Sequence, residues 1–456
     1  MDETSLRAEL ERALSAEPPL GNLVGRSLRT GRKFRQRRRA AAAALCAAAA
    51  AVVIAVPMLL SGAGHEVSKP EPAAVAARTA YVSVGTDAVV PISLATNAVG
   101  TPIRVPLGTQ IWGGATTSAV VTPDGRIVYE VGETTGIAVT PIDTATNEAG
   151  PTITLSTASQ PEDIAIDPNG KTAYVGFVGG VFPINIAANA AGKPIGIPGD
   201  CTTMAFTPDG KTLYVLNGIP AGGNAAPTVT PILTASNTAL APISLPAIKG
   251  GIAYDMAITP DGKTAYVVEG VGGSPYGNFV IPIDLATSTA LAPVRILASG
   301  QLGGIVISPR GGTAYVLTSR AVTPIDTATN QAGPAISLPK SAGYANNIRL
   351  APNGKTIYVL TPRGVVPVRT ASRGVLPMIS IPDLPPFTDF EITPDGRTVY
   401  VVTNTGVQPI STATNSARNP VNLSTVVRPQ PCRRSFTFMG KKINCLQPPG
   451  VVAFAR

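Results

Sequence analysis

The chain has 456 residues, 44% hydrophobic and 14% charged, with 46 Gly and 44 Pro. That balance excludes a disordered chain and a coiled coil and suits short strands joined by many turns. The net charge of +9 sits at the ends: residues 1–39 carry +5 and residues 425–456 carry +6. The long middle is therefore close to neutral and lacks the basic footprint of a nucleic-acid-binding domain.

Leu6, Leu10 and Leu14 stand four apart, one stripe of a short helix, and Pro18-Pro19 ends it. It reads either as a partly ordered tail or as a docking element for a cytoplasmic partner. A basic run, Arg32 to Arg39, precedes Ala40 to Leu60, which is uncharged and apolar over 21 residues. That length spans a bilayer, and the basic flank places the N-terminus in the cytoplasm. The expected organisation is a cytoplasmic segment 1–39, a transmembrane helix 40–61, a linker 62–78 and a large domain 79–456 outside the cell membrane. The competing reading is a signal peptide cut after Ser61-Gly62-Ala63, giving a secreted protein. A 39-residue lead is long for a signal, which favours the single-pass anchor. Cys46 lies inside the apolar run and reads as membrane-facing. The Ala-rich, Arg-over-Lys usage points to a GC-rich bacterial genome.

The large domain is organised around a stretch such as Met256 to Val268, MAITPDGKTAYVV. Two apolar runs flank a Thr-Pro-Asp-Gly turn, with Pro and Gly where a tight hairpin turn wants them. The turn recurs at Thr122, Asp167, Thr207, Thr259, Ser308, Ala351 and Thr393, seven copies at about 45-residue spacing, the blade period of a propeller. Each copy continues with a Tyr-bearing strand, a strand ending in Pro-Ile or Pro-Val, a turn such as Asp143-Thr-Ala-Thr-Asn147, and a short fourth strand. Four strands make one blade. Tyr81 and Pro91-Ile92 begin a further unit that lacks its first strand. Either Pro449 to Phe454 or Ser435 to Lys442 in the tail would complete it. The fold class is thus all-β, a propeller of four-stranded blades, eight in number with seven as the alternative, preceded by one transmembrane helix.

Tyr400-Val-Val-Thr-Asn404, Asp143 to Asn147, Asp326 to Asn330 and the Thr-Pro-Asp-Gly turns make the chain resemble the YVTN-family β-propellers over residues 79–425. The resemblance implies the fold. It implies little about function, because related propellers serve as surface-layer proteins, binding modules and occasional enzymes. One departure is the Pro before Ile or Val in all eight copies: Pro91, Pro141, Pro183, Pro231, Pro282, Pro324, Pro367 and Pro409. Pro is poorly tolerated in a central strand, so each is expected at a bulge or strand end.

Counting four residues back from each turn reaches Ser118, Asp163, Thr203, Asp255, Gly304, Asn347 and Asp389, a ring at one end of the channel. The oxygens of Asp163, Thr203, Asp255, Asn347 and Asp389 fit a polar ligand or a hard cation such as calcium on the axis. The alternative is that such residues bond their own backbone at a strand start. Beyond such a cation no cofactor is expected. The same face carries the two long inter-strand loops, Gly218–Thr228 and Gly270–Asn278. Trp112, Tyr254, Tyr344 and Phe387 lie in segments entering the innermost strands. Aromatics beside carboxylates suit a sugar or peptide; packing under the loops is the alternative.

His65, the one His, lies in the linker, so the propeller has no His for a Ser-His-Asp triad or a His metal site. Asp163 with Asp255 is the remaining acid–base candidate, and nothing in the spacing singles it out. Cys432 and Cys445 flank a segment that forms a hairpin if it turns near Met439-Gly440, which would place them for a disulfide. The expected function is a monomeric, membrane-anchored binding platform for an envelope polysaccharide, peptide or protein, without nucleic acid. The alternatives are a transmembrane sensor acting through the cytoplasmic helix and a carboxylate-based enzyme.

Overall fold

The computed structural model describes residues 79–84, 87–105, 118–134, 136–157, 159–218, 226–248, 251–271, 277–298, 300–382, 384, 390–424, 436–438, 441–443 and 449–455. They form eight antiparallel sheets arranged as the blades of a propeller. Blade 1 consists of Thr79–Val84, Ala88–Ser93 and Ile103–Arg104, and Pro449–Ala455 supplies its innermost strand. Blades 2 to 8 begin at Ser118–Val121, Pro161–Ile166, Thr203–Phe206, Gly251–Ile258, Leu302–Ile307, Asn347–Leu350 and Phe390–Ile392. Of the two tail segments able to complete blade 1, Pro449–Ala455 does so, with Ala455 opposite Thr79 and Val452 opposite Val82. The other forms its own hairpin, Phe436–Phe438 against Lys441–Ile443, outside the ring. Cys432, Cys445, the leucine stripe and residues 40–61 lie outside the described residues. Among the described residues no helix is long and apolar enough to cross a membrane.

Both faces of every blade are covered by neighbours, which is why strands such as Ala265-Tyr-Val-Val268 read as continuous apolar runs rather than alternating ones. The buried side chains fall into eight clusters, one at each seam between blades. Cys201 is a free thiol wholly buried in the seam between blades 3 and 4.

The repeated motifs are local solutions to hydrogen bonding. In the first turn, Thr122 Oγ1 donates to Asp124 Oδ1 at 2.6 Å and accepts from the Ile127 N–H at 3.0 Å, while Gly125 takes φ 75°. In the second turn, Asp143 Oδ1 accepts from the N–H groups of Ala145 and Thr146 at 2.8 and 3.0 Å. The last residue of that turn is left-handed in all eight blades: Asn97, Asn147, Asn189, Asn237, Ser288, Asn330, Arg373 and Asn415. Asn tolerates this region better than most residues. In five blades its side chain also accepts from the Tyr of the preceding blade. Tyr81 reaches Asn147 at 2.6 Å, Tyr174 reaches Asn237 at 2.7 Å, Tyr266 reaches Asn330 at 2.6 Å and Tyr358 reaches Asn415 at 3.1 Å. Tyr400 of blade 8 reaches Asn97 of blade 1 at 2.9 Å, so the same latch closes the ring.

The eight prolines sit in mid-strand, each opposite the Tyr of its blade, as Pro183 lies opposite Tyr174. N–H and C=O of one strand residue point to the same side. The carbonyl of Pro183 points outward, accepting from the Gly192 N–H at 2.7 Å, so its missing N–H faces outward too. There the outer strand is split: Ala190–Ala191 pairs below the proline and Ile195–Gly196 above it. The bulge or strand end expected at each Pro is therefore not found: the prolines lie within continuous strands, and the break is in the neighbouring outer strand.

Candidate functional site

The innermost strands ring the axis, and their first residues open on the face that carries the long loops. Asp163 and Asp255 lie in the innermost strands of blades 3 and 5. Asp163 Oδ1 accepts from the N–H of Ile164 at 2.8 Å, and Oδ2 accepts from the N–H of Met204 in blade 4, also at 2.8 Å. Thr203 Oγ1 adds a longer contact of 3.4 Å to the same oxygen. Asp255 repeats the arrangement, accepting from Met256 N–H at 2.8 Å and from Ile305 N–H of blade 6 at 3.0 Å. The bond to the following residue is the local cap; the second bond ties each blade to the next. Gly304 takes φ 137°, and a Cβ there would lie 3.1 Å from Asp255 Oδ2, so glycine lets the carboxylate approach.

Burial pushes the Asp163 carboxyl up to about 7, against the lowering pull of the Met204 and Ile164 N–H groups, and the Asp255 charge raises it further. Asp255 is raised by burial too, opposed by its two N–H donors and by the Arg349 charge. Both carboxyls are committed to holding backbone. Among the described residues no group of three or more His, Cys, Asp or Glu is placed to hold a metal ion.

Asn347 begins blade 7. Its Oδ1 accepts from Ile348 N–H at 2.8 Å and from an Arg349 guanidinium nitrogen at 2.6 Å. Arg349 Nε donates to Glu391 Oε2 of blade 8, also at 2.6 Å, with 28% of the arginine side chain and 7% of the glutamate exposed. This pair is absent from the sequence expectations, and the register could have found it. The innermost residue opposite each blade's Tyr is Val120, Ala165, Ala205, Ala257, Val306 or Ala453 in six blades and Arg349 or Glu391 in two. Two adjacent blades thus replace a small apolar residue with an ion pair at the channel.

Two more buried acids break the repeat. Glu130 follows Tyr129 where the other seven blades have Val, as in Val82 and Val267. It is 1% exposed, accepts from Ser83 Oγ of blade 1 at 2.7 Å, and its Oε2 has no partner. Burial pushes it up to about 8 although the Ser83 bond pulls the other way. Glu269, wholly buried at the loop-face end of blade 5, has neither oxygen partnered, and burial pushes it up to about 7. Gly251 stands beside it, where a Cβ would meet Glu269 Oε1.

Of the aromatics expected on this face, Trp112 and Phe387 lie outside the described residues, as does Asp389 of the ring. Tyr254 is half-buried, its ring edge beside Gly270. Tyr344 is 63% exposed, with the Arg320 guanidinium 4.1 Å from its ring centre. The opposite face repeats its turns blade after blade, whereas the loop face carries the departures.

No protein-family model and no curated protein matches the chain. Among solved structures it is similar to Kuenenia stuttgartiensis hydrazine synthase, with 20% identity over 65% of this chain and 95% of that one and a TM-score of 0.52. It is also similar to the dihydro-heme d1 dehydrogenase NirN in complex with DHE, with 15% identity over 85% of this chain and 77% of that one and a TM-score of 0.56. The class of protein defined here is an eight-bladed β-propeller. Such likeness extends to 1542 solved chains, so it carries the fold and selects no activity.

Proposed function

We propose that this protein is a membrane-anchored, extracytoplasmic binding platform of YVTN type, held by residues 40–61, whose loop face engages an envelope polysaccharide, peptide or protein. The observation that carries this reading is Tyr344: a tyrosine 63% exposed and backed by an arginine, on the face where blades cease to repeat. An exposed aromatic on a rigid scaffold serves recognition more than stability. The engagement of all four Asp163 and Asp255 oxygens with backbone N–H groups favours binding over carboxylate acid–base chemistry.

The test is retention of full-length protein on cell-envelope fractions, with and without a chelator, together with protease treatment of intact cells. Saturable retention and digestion of the propeller from outside are expected. A folded protein that is not retained, or a propeller digested only after lysis, would refute the proposal. Retention lost on chelation would make the binding cation-dependent.

A further inference from the structure

Tyr344 belongs to a segment gripped from both sides. Residues Lys340–Ala342 form a short turn leading into blade 7. From blade 6, Arg320 lies over the ring of Tyr344. From blade 7, an Arg363 guanidinium nitrogen donates to the Ser341 carbonyl at 2.9 Å. The two arginines occupy equivalent places, each between the second and third strands of its blade. Lys340 projects from the same segment and is exposed, as is Arg363. None of these three cations has an ion-pair partner among the described residues, whereas Arg126, Lys211 and Arg397 on the opposite face each sit beside the Asp of their own turn. The loop face of blades 6 and 7 is thus a cationic shelf around one exposed aromatic ring.

We propose that this shelf binds an acidic polysaccharide, a polymer of carboxylated sugars; the inference rests on the binding-platform reading and names its ligand class. A pyranose ring presents an apolar face that stacks on tyrosine, and its carboxylate is matched by the planar fork of arginine. A polymer engages both arginines and Lys340 at once. A lipid surface fits less well, because beside Tyr344 the described residues of blades 6 and 7 and the segments entering them expose a single further large hydrophobic side chain, Leu297, too little for an apolar face. An acidic peptide fits less well, because it is ordinarily held by a free sheet edge or an apolar groove, and the strands beside this shelf pair within their blades.

The test uses full-length protein on a sensor surface, with polygalacturonate, neutral dextran, polyglutamate and phosphatidylglycerol vesicles as probes. Saturable, salt-sensitive binding of polygalacturonate in preference to the other three is expected. Tyr344→Ala and Arg320→Ala should each weaken it about tenfold, with melting temperature unchanged. Arg320→Lys should recover part of the loss, because the charge returns without the planar stack. Polygalacturonate binding unchanged in both alanine variants, or equal binding of polyglutamate or vesicles, overturns the proposal. Retention on envelope fractions without a polygalacturonate preference overturns the shelf and leaves the platform standing; loss of both removes both.

Discussion

Glu130 should make the propeller lose stability as pH rises, and Glu130→Gln should abolish that loss. The carboxyl sits in the seam between blades 1 and 2, with one oxygen accepting from Ser83 and the other unpartnered. Burial moves it from 4.5 in the unfolded chain to about 8 in the folded one. A raised acid leaves stability intact below the unfolded value, and stability then falls as pH climbs through 4.5 toward about 8. The slope is about 1.4 kcal/mol per pH unit, so the loss from this one group is roughly 3 kcal/mol by pH 7. For a chain of this size that corresponds to about 4 °C in melting temperature. The amide keeps an oxygen for Ser83 and cannot ionise. It does bury an N–H pair without a partner, which costs about 1–3 kcal/mol independently of pH. The discriminating quantity is therefore the pH slope, measured by thermal melting of wild type and variant from pH 4.5 to 8.5. Asp163 and Glu269 slope the same way but are common to both proteins and cancel in the difference. Parallel curves would refute the assignment of a buried, neutral Glu130.

The interblade latch predicts a contrast between two tyrosines. Tyr266→Phe loses the bond to Asn330 and should cost about 1 kcal/mol in chemical denaturation, whereas Tyr129→Phe should cost nothing, because the Tyr129 hydroxyl is buried without a partner. Equal losses would mean that the hydroxyl bond contributes little in this fold. Two glycines form a second contrast. A Cβ at Gly406 would lie 1.9 Å from the Val421 carbonyl oxygen, while one at Gly196 would meet nothing within 4 Å. Gly406→Ala should therefore destabilise by about 3 kcal/mol and Gly196→Ala by a few tenths, checked by denaturant midpoints.

The turns, the tyrosines and the left-handed Asn were legible because each solves a problem within a few residues. Thr122 and Asp124 close their own turn, and such chemistry leaves the same residues at the same spacing in every copy. The role of the carboxylates Asp163 and Asp255 was only half visible. The Oδ1 of Asp163 does cap the next N–H, as the local alternative held, while its Oδ2 reaches Met204, 41 residues on. Nothing near Asp163 in sequence marks that partner. Arg349 and Glu391 escaped for a related reason: each is unremarkable alone, and only alignment of the innermost strands shows them replacing Ala or Val in neighbouring blades.

By itself the sequence determined the blade and favoured eight of them over seven, since hairpin turns, apolar runs and a 45-residue period are short-range features that every blade must satisfy. It also located the face on which the blades diverge. Tertiary structure alone decided how the ring closes and where the charges go. Both tail segments had the composition of a strand, and it is Pro449–Ala455 that pairs along Thr79–Val84 and closes blade 1. The grip of Arg320 and Arg363 on the segment 340–344 likewise joins groups from two blades. Contacts between blades depend on how separate repeats are brought together around the axis, and no local spacing in the chain encodes that distance.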